Sequence, residues 1–526
     1  MRVPHHSSAS ARVALALLIL FALTPSLHAQ NNNQGNVAGI SVDASGVVHP
    51  AQLKPESAAL VKQRQQAFVS ERLSEDLATF SNCRKLSLVA LEAAVAAALE
   101  QGKELPDDVK YLAGLQRIDY VFVDLEGQDL VIAGPAEGFA PDPGGAMRGL
   151  TTGRPTLALE DLIVILQSAA RGRISIGCSI DPEPDRLAKM QNYIRQNSSA
   201  TTPAGAARRY RNMAQILGQQ NVSVWGVPED SHFAQVLVAA DFRMKRIGLG
   251  VDRSGVREIR SHLSLLRPNG NSLQRWWFVP HYSGVHADDD RTAFYLEGPR
   301  CKLLAQEEIS DASGIRSDAA TTRESTEAFA RNFSNHFEEL AEVSPVFAQL
   351  QGLFDLAVTG RSSASIGCRS GWPTFLDRSD SLAASYPVPR SVPSETMFRR
   401  GGRGVVLGLI GGVTLNPRSV LGEVNVGGEE AAAAVGLRGR SLRTDTVPRD
   451  RWWWTDHAVW CDMASRDAIE SSPAASGGPQ SFDMPSRAGR GLNVSTNFDI
   501  QEVSFLPGFL PHPAASRRVG RNARLC

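Results

Sequence analysis

The sequence predicts an α/β fold: a mixed, partly parallel sheet with flanking helices, a helical N-terminal region and an irregular C-terminal tail. Three observations predict it. Short apolar runs suited to inner strands alternate with helical faces between residues 157 and 251. A proline-free stretch from Ser57 to Ala98, rich in Ala and Leu, reads as helix. Regular patterning fades beyond about 430, and Ser471 to Arg490 reads as disordered.

The first residues carry a secretory signal. Arg2 and Arg12 form a positive n-region, Val13 to Leu23 an apolar h-region, and Leu27-His28-Ala29 a small-residue site before a cut at Gln30. The h-region is too short to span a hydrocarbon core, which needs about 20 apolar residues. The expected compartment is therefore periplasmic or extracellular, with no membrane span after cleavage. Six cysteines, at 83, 178, 301, 368, 461 and 526, become candidates for intramolecular disulfides there. No CxxC occurs.

Residues 1–29 are thus a signal peptide and 30–50 a polar leader. Residues 51–104 form a helical region and 105–300 an α/β core. Inside that core, Tyr120 to Val123 and Leu130 to Ala133 flank Glu126-Gly127 as a hairpin. Leu159 to Ala169 is a buried helix and Ile174 to Ile180 an inner strand. Asp181 and Pro182 offer a helix start. Leu187, Met190 and Ile194 face one way on that helix, and Tyr210, Met213, Ala214 and Leu217 repeat the spacing up to Gly218. Asn221 to Val227 is a second inner strand. Phe233, Val236, Leu237, Ala240 and Met244 stripe the next helix, stopped by Gly248 and Gly250. Strand–helix–strand–helix order is what makes the sheet partly parallel. Trp276 to Val279 adds a strand. Residues 301–325 read as a loop and 326–360 as a helical pair, striped by Phe329, Phe333, Phe337 and Leu340. A linker (361–400), a glycine-broken β-hairpin packing on the core (401–430) and a low-order tail (431–526) complete the chain.

Composition excludes some functions. Hydrophobic residues are 42% and charged residues 21%, so a packed core is expected. Basic and acidic side chains balance at 55 each, which leaves no electrostatic footprint for nucleic acid. No HExxH, EF-hand, GxSxG or Walker signature occurs, so no metal site or cofactor is expected. His281, His286 and the Asp288-Asp289-Asp290 run lack a spacing that puts ligands on one face.

The catalytic candidates are few. Asp241 and Lys245 lie four apart on a helix, hence on one face. Together they make an oriented base or carboxylate binder, or a surface ion pair worth about a few tenths of a kcal/mol. His232 is nine residues from Asp241, about half a turn round the helix, so the two share no site through it. Cys178 and Ser179 end an inner strand, where ligands of open α/β sheets collect, but no base can be assigned to activate them. Arg154 precedes a helix start and is a candidate anion binder. Trp276 and the cluster Trp452, Trp453, Trp454 and Trp460 offer a sugar-stacking surface or a pin for the C-terminal segment.

Several phrases occur together in order. They are Tyr111 to Ile118 (YLAGLQRI), Ala133 to Gly138 (AGPAEG), Thr151 to Pro155 (TTGRP), Cys178 to Pro182 (CSIDP), Ala240 to Lys245 (ADFRMK) and Arg275 to Phe278 (RWWF). The set resembles a family of large exported planctomycete proteins known only as a domain of unknown function, over roughly residues 105 to 425. The resemblance implies no activity, cofactor or catalytic residue.

The expected function is an exported soluble protein with a non-enzymatic binding or assembly role, acting on an envelope or extracellular partner. The alternatives are a hydrolase using Asp241, Lys245 or Cys178-Ser179, and a carbohydrate or cell-wall binder using the tryptophans.

Overall fold

The computed structural model describes residues 36–455, apart from 54, 126, 173–174, 200, 266–272, 289–290, 312, 366–374, 376, 379–381, 383, 400–402, 407–409, 418–419, 421–423 and 427–450. Residues 1–29, expected to be a signal peptide, most of the tail and Trp460 lie outside them. No helix among the described residues is long and apolar enough to cross a membrane.

Strands β1 (Asn36–Val37), β2 (Ile40–Val42) and β3 (Val48–Pro50) form a small sheet where a polar leader was expected. Helix α1 (Ala58–Arg72), β4 (Ser81–Ser87) and α2 (Leu88–Glu100) follow. Next come the hairpin β5 (Tyr120–Asp124) and β6 (Asp129–Ala136), the pair β7 (Phe139–Pro141) and β8 (Met147–Gly149), and α3 (Leu159–Ala170). The centre is β9 (Ile176–Asp181), α4 (Pro184–Gln196), α5 (Pro203–Leu217), β10 (Gln219–Trp225) and α6 (His232–Leu249). Then β11 (Leu273–His281), β12 (Gly284–Ala287), β13 (Ala293–Glu297), β14 (Arg300–Ser310) and β15 (Arg316–Asp318) precede α7 (Glu324–Asn335), α8 (Phe337–Val343) and α9 (Pro345–Ser365). The last strands are β16 (Ser391–Pro393), β17 (Thr396–Arg399), β18 (Arg403–Val406), β19 (Ile410–Leu415), β20 (Val424–Val426) and β21 (Trp453–Thr455).

Two seven-stranded sheets organise these elements. Sheet I runs β15-β14-β11-β19-β9-β10-β16, and sheet II runs β20-β12-β13-β5-β6-β4-β21. Both are mixed: β11 pairs parallel with β19, and β12 with β20. The fold is thus α/β with partly parallel sheets, as the alternating pattern predicts. The parallel pairs lie elsewhere than expected, because β9 and β10 are antiparallel. Two helices, α4 and α5, separate them. A single helix would carry the chain to the far end of the sheet. This helical hairpin returns it to the same end, with Leu187, Met190 and Leu217 packed between its arms.

Several sequence expectations are corrected. Helix α4 starts at Pro184, not Pro182, because a residue before proline avoids the α region, and Glu183 is extended at φ −65°, ψ 133°. The N-terminal helical region is interrupted by β4, which pairs with β6 and β21. Ser57 and Ser87 each cap a helix by accepting a bond from the amide three residues on, and so divide the stretch. Residues 301–325 are mainly strand. The run Gln306-Glu307-Glu308 is polar yet largely sheltered, because Arg323 lies 2.9 Å from Glu307 and Arg275 3.5 Å from Glu308. The linker contains the end of α9 and the edge strand β16. The 401–430 hairpin also divides: β18 pairs with β17, while β19 inserts between β11 and β9. The glycines permit that insertion. A Cβ on Gly412 would lie 1.8 Å from the Cys178 carbonyl oxygen.

The phenylalanine stripe survives a break. Helices α7 and α8 part at His336, yet Phe329, Phe333, Phe337 and Leu340 are all buried, and Phe278 of β11 packs against Phe333 and Phe337. The chain turns from sheet I into sheet II and back at 282–283 and 298–299. At that corner the buried Arg300 bonds Asp355 at 3.0 Å and Asp119 at 2.6 Å. Helix α6 is the central helix, buried almost throughout against β9, β19 and α9.

Candidate functional site

Two helix starts converge beside a cleft of about 300 Å³. Helix α6 begins at Ser231, whose hydroxyl accepts from the Ala234 amide at 3.1 Å, and places His232 at its first position. Helix α3 begins after Ala158, with no side-chain cap and with Glu160 and Asp161 in its first turn. Carboxylates are favoured there by the positive end of the helix dipole. His232 Nδ1 lies 2.8 Å from Asp161 Oδ2. The Tyr386 hydroxyl donates to Glu160 Oε1 at 2.9 Å, and its ring centroid is 5.8 Å from that of His232. The segment carrying Tyr386 is strapped to the start of α6: the Tyr386 amide donates to the Asp230 carbonyl at 2.8 Å, and Gln235 Nε2 donates to the Pro387 carbonyl. Tyr111, Met147, Thr156 and Gln349 complete much of the lining.

Proximity shifts these groups in different directions. Burial disfavours a charged imidazole, but the Asp161 charge and hydrogen bond, helped by Glu160, lift His232 to about 9. The amino end of α6 opposes that charge, and the carboxylate at hydrogen-bond distance outweighs it. Burial raises the Glu160 carboxyl, with Asp161 adding to it and His232 opposing. Burial also pushes the Tyr111 hydroxyl up to about 12. At neutral pH the cleft therefore presents a charged imidazole paired with Asp161, beside a carboxyl whose pKa burial raises. Asp161 Oδ1 is buried and accepts no bond from any described residue. This set can hold a polar ligand and exchange protons with it. Among the described residues no Ser, Cys or Lys lines the cleft, and its hydroxyl groups are those of Thr156, Tyr111 and Tyr386.

The sequence candidates lie elsewhere. Asp241 and Lys245 are paired as expected, with Lys245 Nζ donating to Asp241 Oδ2 at 2.6 Å, but both are fully buried. The surface-pair reading is overturned, because the face of α6 that carries them packs inward on sheet I. Burial raises the Asp241 carboxyl to about 6, against the pull of Lys245. Cys178 is 1% exposed in the same interior, and burial with the Asp241 charge pushes its thiol far up, away from a nucleophilic thiolate. Ser179 is half-buried, on the other face of β9. Cys178 and Cys301 have free thiols, and no disulfide joins two described cysteines. Cys368, Cys461 and Cys526 lie outside the described residues.

The tryptophans are interior. Trp276 is 2% exposed and donates to the Thr326 carbonyl at 3.2 Å. Trp453 is buried in β21, with the Arg84 guanidinium 4.9 Å from its ring centroid. That is the pinning role, and it removes both rings as a sugar platform. Arg154 lines a different cleft, with Arg117. Of the imagined metal ligands, His286 bonds Glu297 at 3.1 Å and Asp288 bonds the Thr292 and Ala293 amides. Asp289 and Asp290 lie outside the described residues. Glu258, His336 and Glu339 bring three ligand-type atoms within 4.8 Å of one another at the surface. His336 Nδ1 already bonds Glu339 at 2.8 Å, and both carboxylates are exposed, an arrangement ordinary for a solvated surface.

Sequence reasoning missed Glu160, Asp161 and Tyr386. The signal that could have found the first two is an acid pair opening an otherwise apolar helix. Nothing local marks Tyr386, which arrives from more than 200 residues away. The separation of His232 from Asp241 was legible: nine residues at about 1.5 Å each put them two and a half turns apart.

Residues 178–262 match a family described as Protein of unknown function (DUF1598). The match spans β9 to α6 and the following loop, the centre of the stretch that carries the resemblance. It contains His232, Asp241 and Lys245, but not Glu160, Asp161 or Tyr386. No curated protein and no solved structure matches the chain.

Proposed function

We propose that this is an exported binding protein whose cleft at the joined starts of α3 and α6 takes a small ligand bearing an amine. The observation that carries the reading is the convergence of Glu160, His232, Tyr111 and Tyr386 on one cleft, with Asp161 bonded to His232. The Glu160 carboxyl and the rings of Tyr111 and Tyr386 suit a cation, with the His232 charge offset by its bond to Asp161. An ammonium beside Glu160 would favour its ionised form, against the upward push of burial. The signal-peptide grammar of residues 1–29 supports export.

The test is calorimetry of the purified chain with a panel of primary amines and amino sugars. Binding that is lost in Glu160→Gln is the expected outcome. If no amine binds and the protein captures nothing from envelope extracts, the reading fails.

A second reading, acid–base hydrolysis, is favoured by the His232–Asp161 pair. It moves the hydrolase candidate from Asp241, Lys245 and Cys178-Ser179 to His232, with Glu160 as proton donor. Turnover of chromogenic ester or glycoside substrates that disappears in His232→Gln would favour it over binding alone.

A further inference from the structure

A second cleft, of about 350 Å³, opens beside the interior strands β4, β5, β6 and β13 of sheet II, and no role above uses it. Gln116, Arg117, Pro135, Thr152 and Arg154 line it, so three of the phrases read in the sequence meet there: YLAGLQRI, AGPAEG and TTGRP. Their meeting has a visible cause. Glu137, 1% exposed, accepts the Thr151 amide at 2.7 Å and the Thr152 amide at 3.0 Å. It also accepts Gln116 Nε2 at 2.7 Å. These bonds hold the Glu137 carboxyl below its usual range although burial works the other way. One buried carboxylate thus fixes the turn that carries Arg154.

Arg154 is unusual in this setting. Its guanidinium is half-buried and donates to the neutral Gln351 Oε1 at 2.5 Å, and it makes no ion pair with any described residue. Gln351 is itself held, since its amide nitrogen donates to the Pro299 carbonyl at 3.0 Å. Burial and the neighbouring Arg117 lower the Arg154 pKa, while the more distant carboxylates of Glu338, Glu342 and Asp355 pull the other way without forming an ion pair with it. Arg117 spends its Nε on Asp119 at 2.8 Å and keeps Nη1 3.6 Å from Glu338. Asp119 also lines the cleft, but the buried Arg300 shares its charge at 2.6 Å. Sheltering a cation without a carboxylate partner is costly, and a bound anion would remove the cost. Around the two arginines stand the hydroxyl-bearing rings of Tyr120 and Tyr295, 5.1 Å apart, with the half-exposed ring of Phe80. Such a wall suits a body with both hydroxyls and an apolar face.

We propose that this cleft binds an anionic monosaccharide, with its acid group on Arg154 and Arg117 and its ring along Phe80, Tyr120 and Tyr295. A sugar acid and a sugar phosphate share that chemistry, because the guanidinium fork fits both groups.

Isothermal titration of the full purified chain with glucuronate, glucose 6-phosphate, inorganic phosphate and glucose tests it. Binding of glucuronate or glucose 6-phosphate is expected, weakening with salt and at least about tenfold in Arg154→Gln. Unchanged binding in His232→Gln separates this site from the first cleft. Should Arg154→Gln fail to fold, Arg154→Lys keeps the charge and loses the fork, and a weakening of about threefold or more is expected. The proposal is overturned if neither anionic sugar binds, if the arginine variants bind as the parent does, or if glucose binds equally well. Phosphate binding as tightly as glucose 6-phosphate would overturn the sugar part.

Discussion

The imidazole of His232 and the carboxylate of Asp161, 71 residues apart in sequence, meet at 2.8 Å and tie the first turn of α6 to the first turn of α3. The bond joins two buried helices at their first turns, one capped by Ser231 and the other without a side-chain cap. It is therefore both a structural clasp and the charged wall of the cleft.

This pair makes stability depend on pH in a definite direction. His232 titrates near 9 in the fold and near 6.5 when unfolded. The folded chain then holds a proton that the unfolded chain has lost, so the contribution is complete below about 6.5 and disappears as pH rises through about 9. Urea denaturation across that window should show a fall of up to about 3 kcal/mol that is missing in His232→Gln. A variant curve parallel to the parent's would refute the assignment.

The buried Asp241–Lys245 pair should respond asymmetrically to substitution. Lys245→Met strands a carboxylate in the core and should cost about 3–5 kcal/mol. Adding Asp241→Leu should recover most of that loss, since a buried pair and an apolar pair of like volume differ little. Chemical denaturation of the two single variants and the double variant measures this. A double variant as unstable as the sum of the singles would show that the pair has further partners.

Cys178 should be inert in the native protein. Burial and the Asp241 charge disfavour its thiolate, so iodoacetamide at neutral pH should label it only after denaturation. Mass spectrometry of the labelled peptide decides. Rapid native labelling would return Cys178 to the list of nucleophiles.

Gly412 should tolerate no side chain. The alanine methyl would overlap backbone of β9, and neither strand can move without breaking a central ladder. Gly412→Ala should lose at least about 3 kcal/mol or fail to fold. Near-parent thermal stability would mean that β19 does not lie between β11 and β9.

What the sequence disclosed follows from the range of the forces involved. Helix α6 was readable because Phe233, Val236, Leu237, Ala240 and Met244 repeat at helical spacing and Gly250 ends it in a left-handed conformation. The hairpin of β5 and β6 was readable from β-rich runs around a glycine turn. Strand β4 was not, because its place is set by β6 and β21, the latter more than 360 residues on. Strand β14 was hidden by glutamates whose arginine partners come from other segments. The same reason hid the cleft. His232 was visible as a residue, while Tyr386 and the α3 acids acquire meaning only when three distant segments meet. Trp453 was visible as one of a tryptophan run, and only its pairing with β4 shows that it is a pin.

The position of β19 governs when the fold can close. In chain order, β9 and β10 come first and β11, β14 and β15 second, and β19 is what joins these two groups into one sheet. A growing chain, or one truncated before residue 410, therefore holds two half-sheets with open edges at β9 and β11. Open edges invite pairing with other chains. In sheet II the late strands β20 and β21 add only at the two outer edges, against β12 and β4. Formation of the native topology is accordingly a late and non-local event, with slow folding and sensitivity to C-terminal deletion built into the order of the strands.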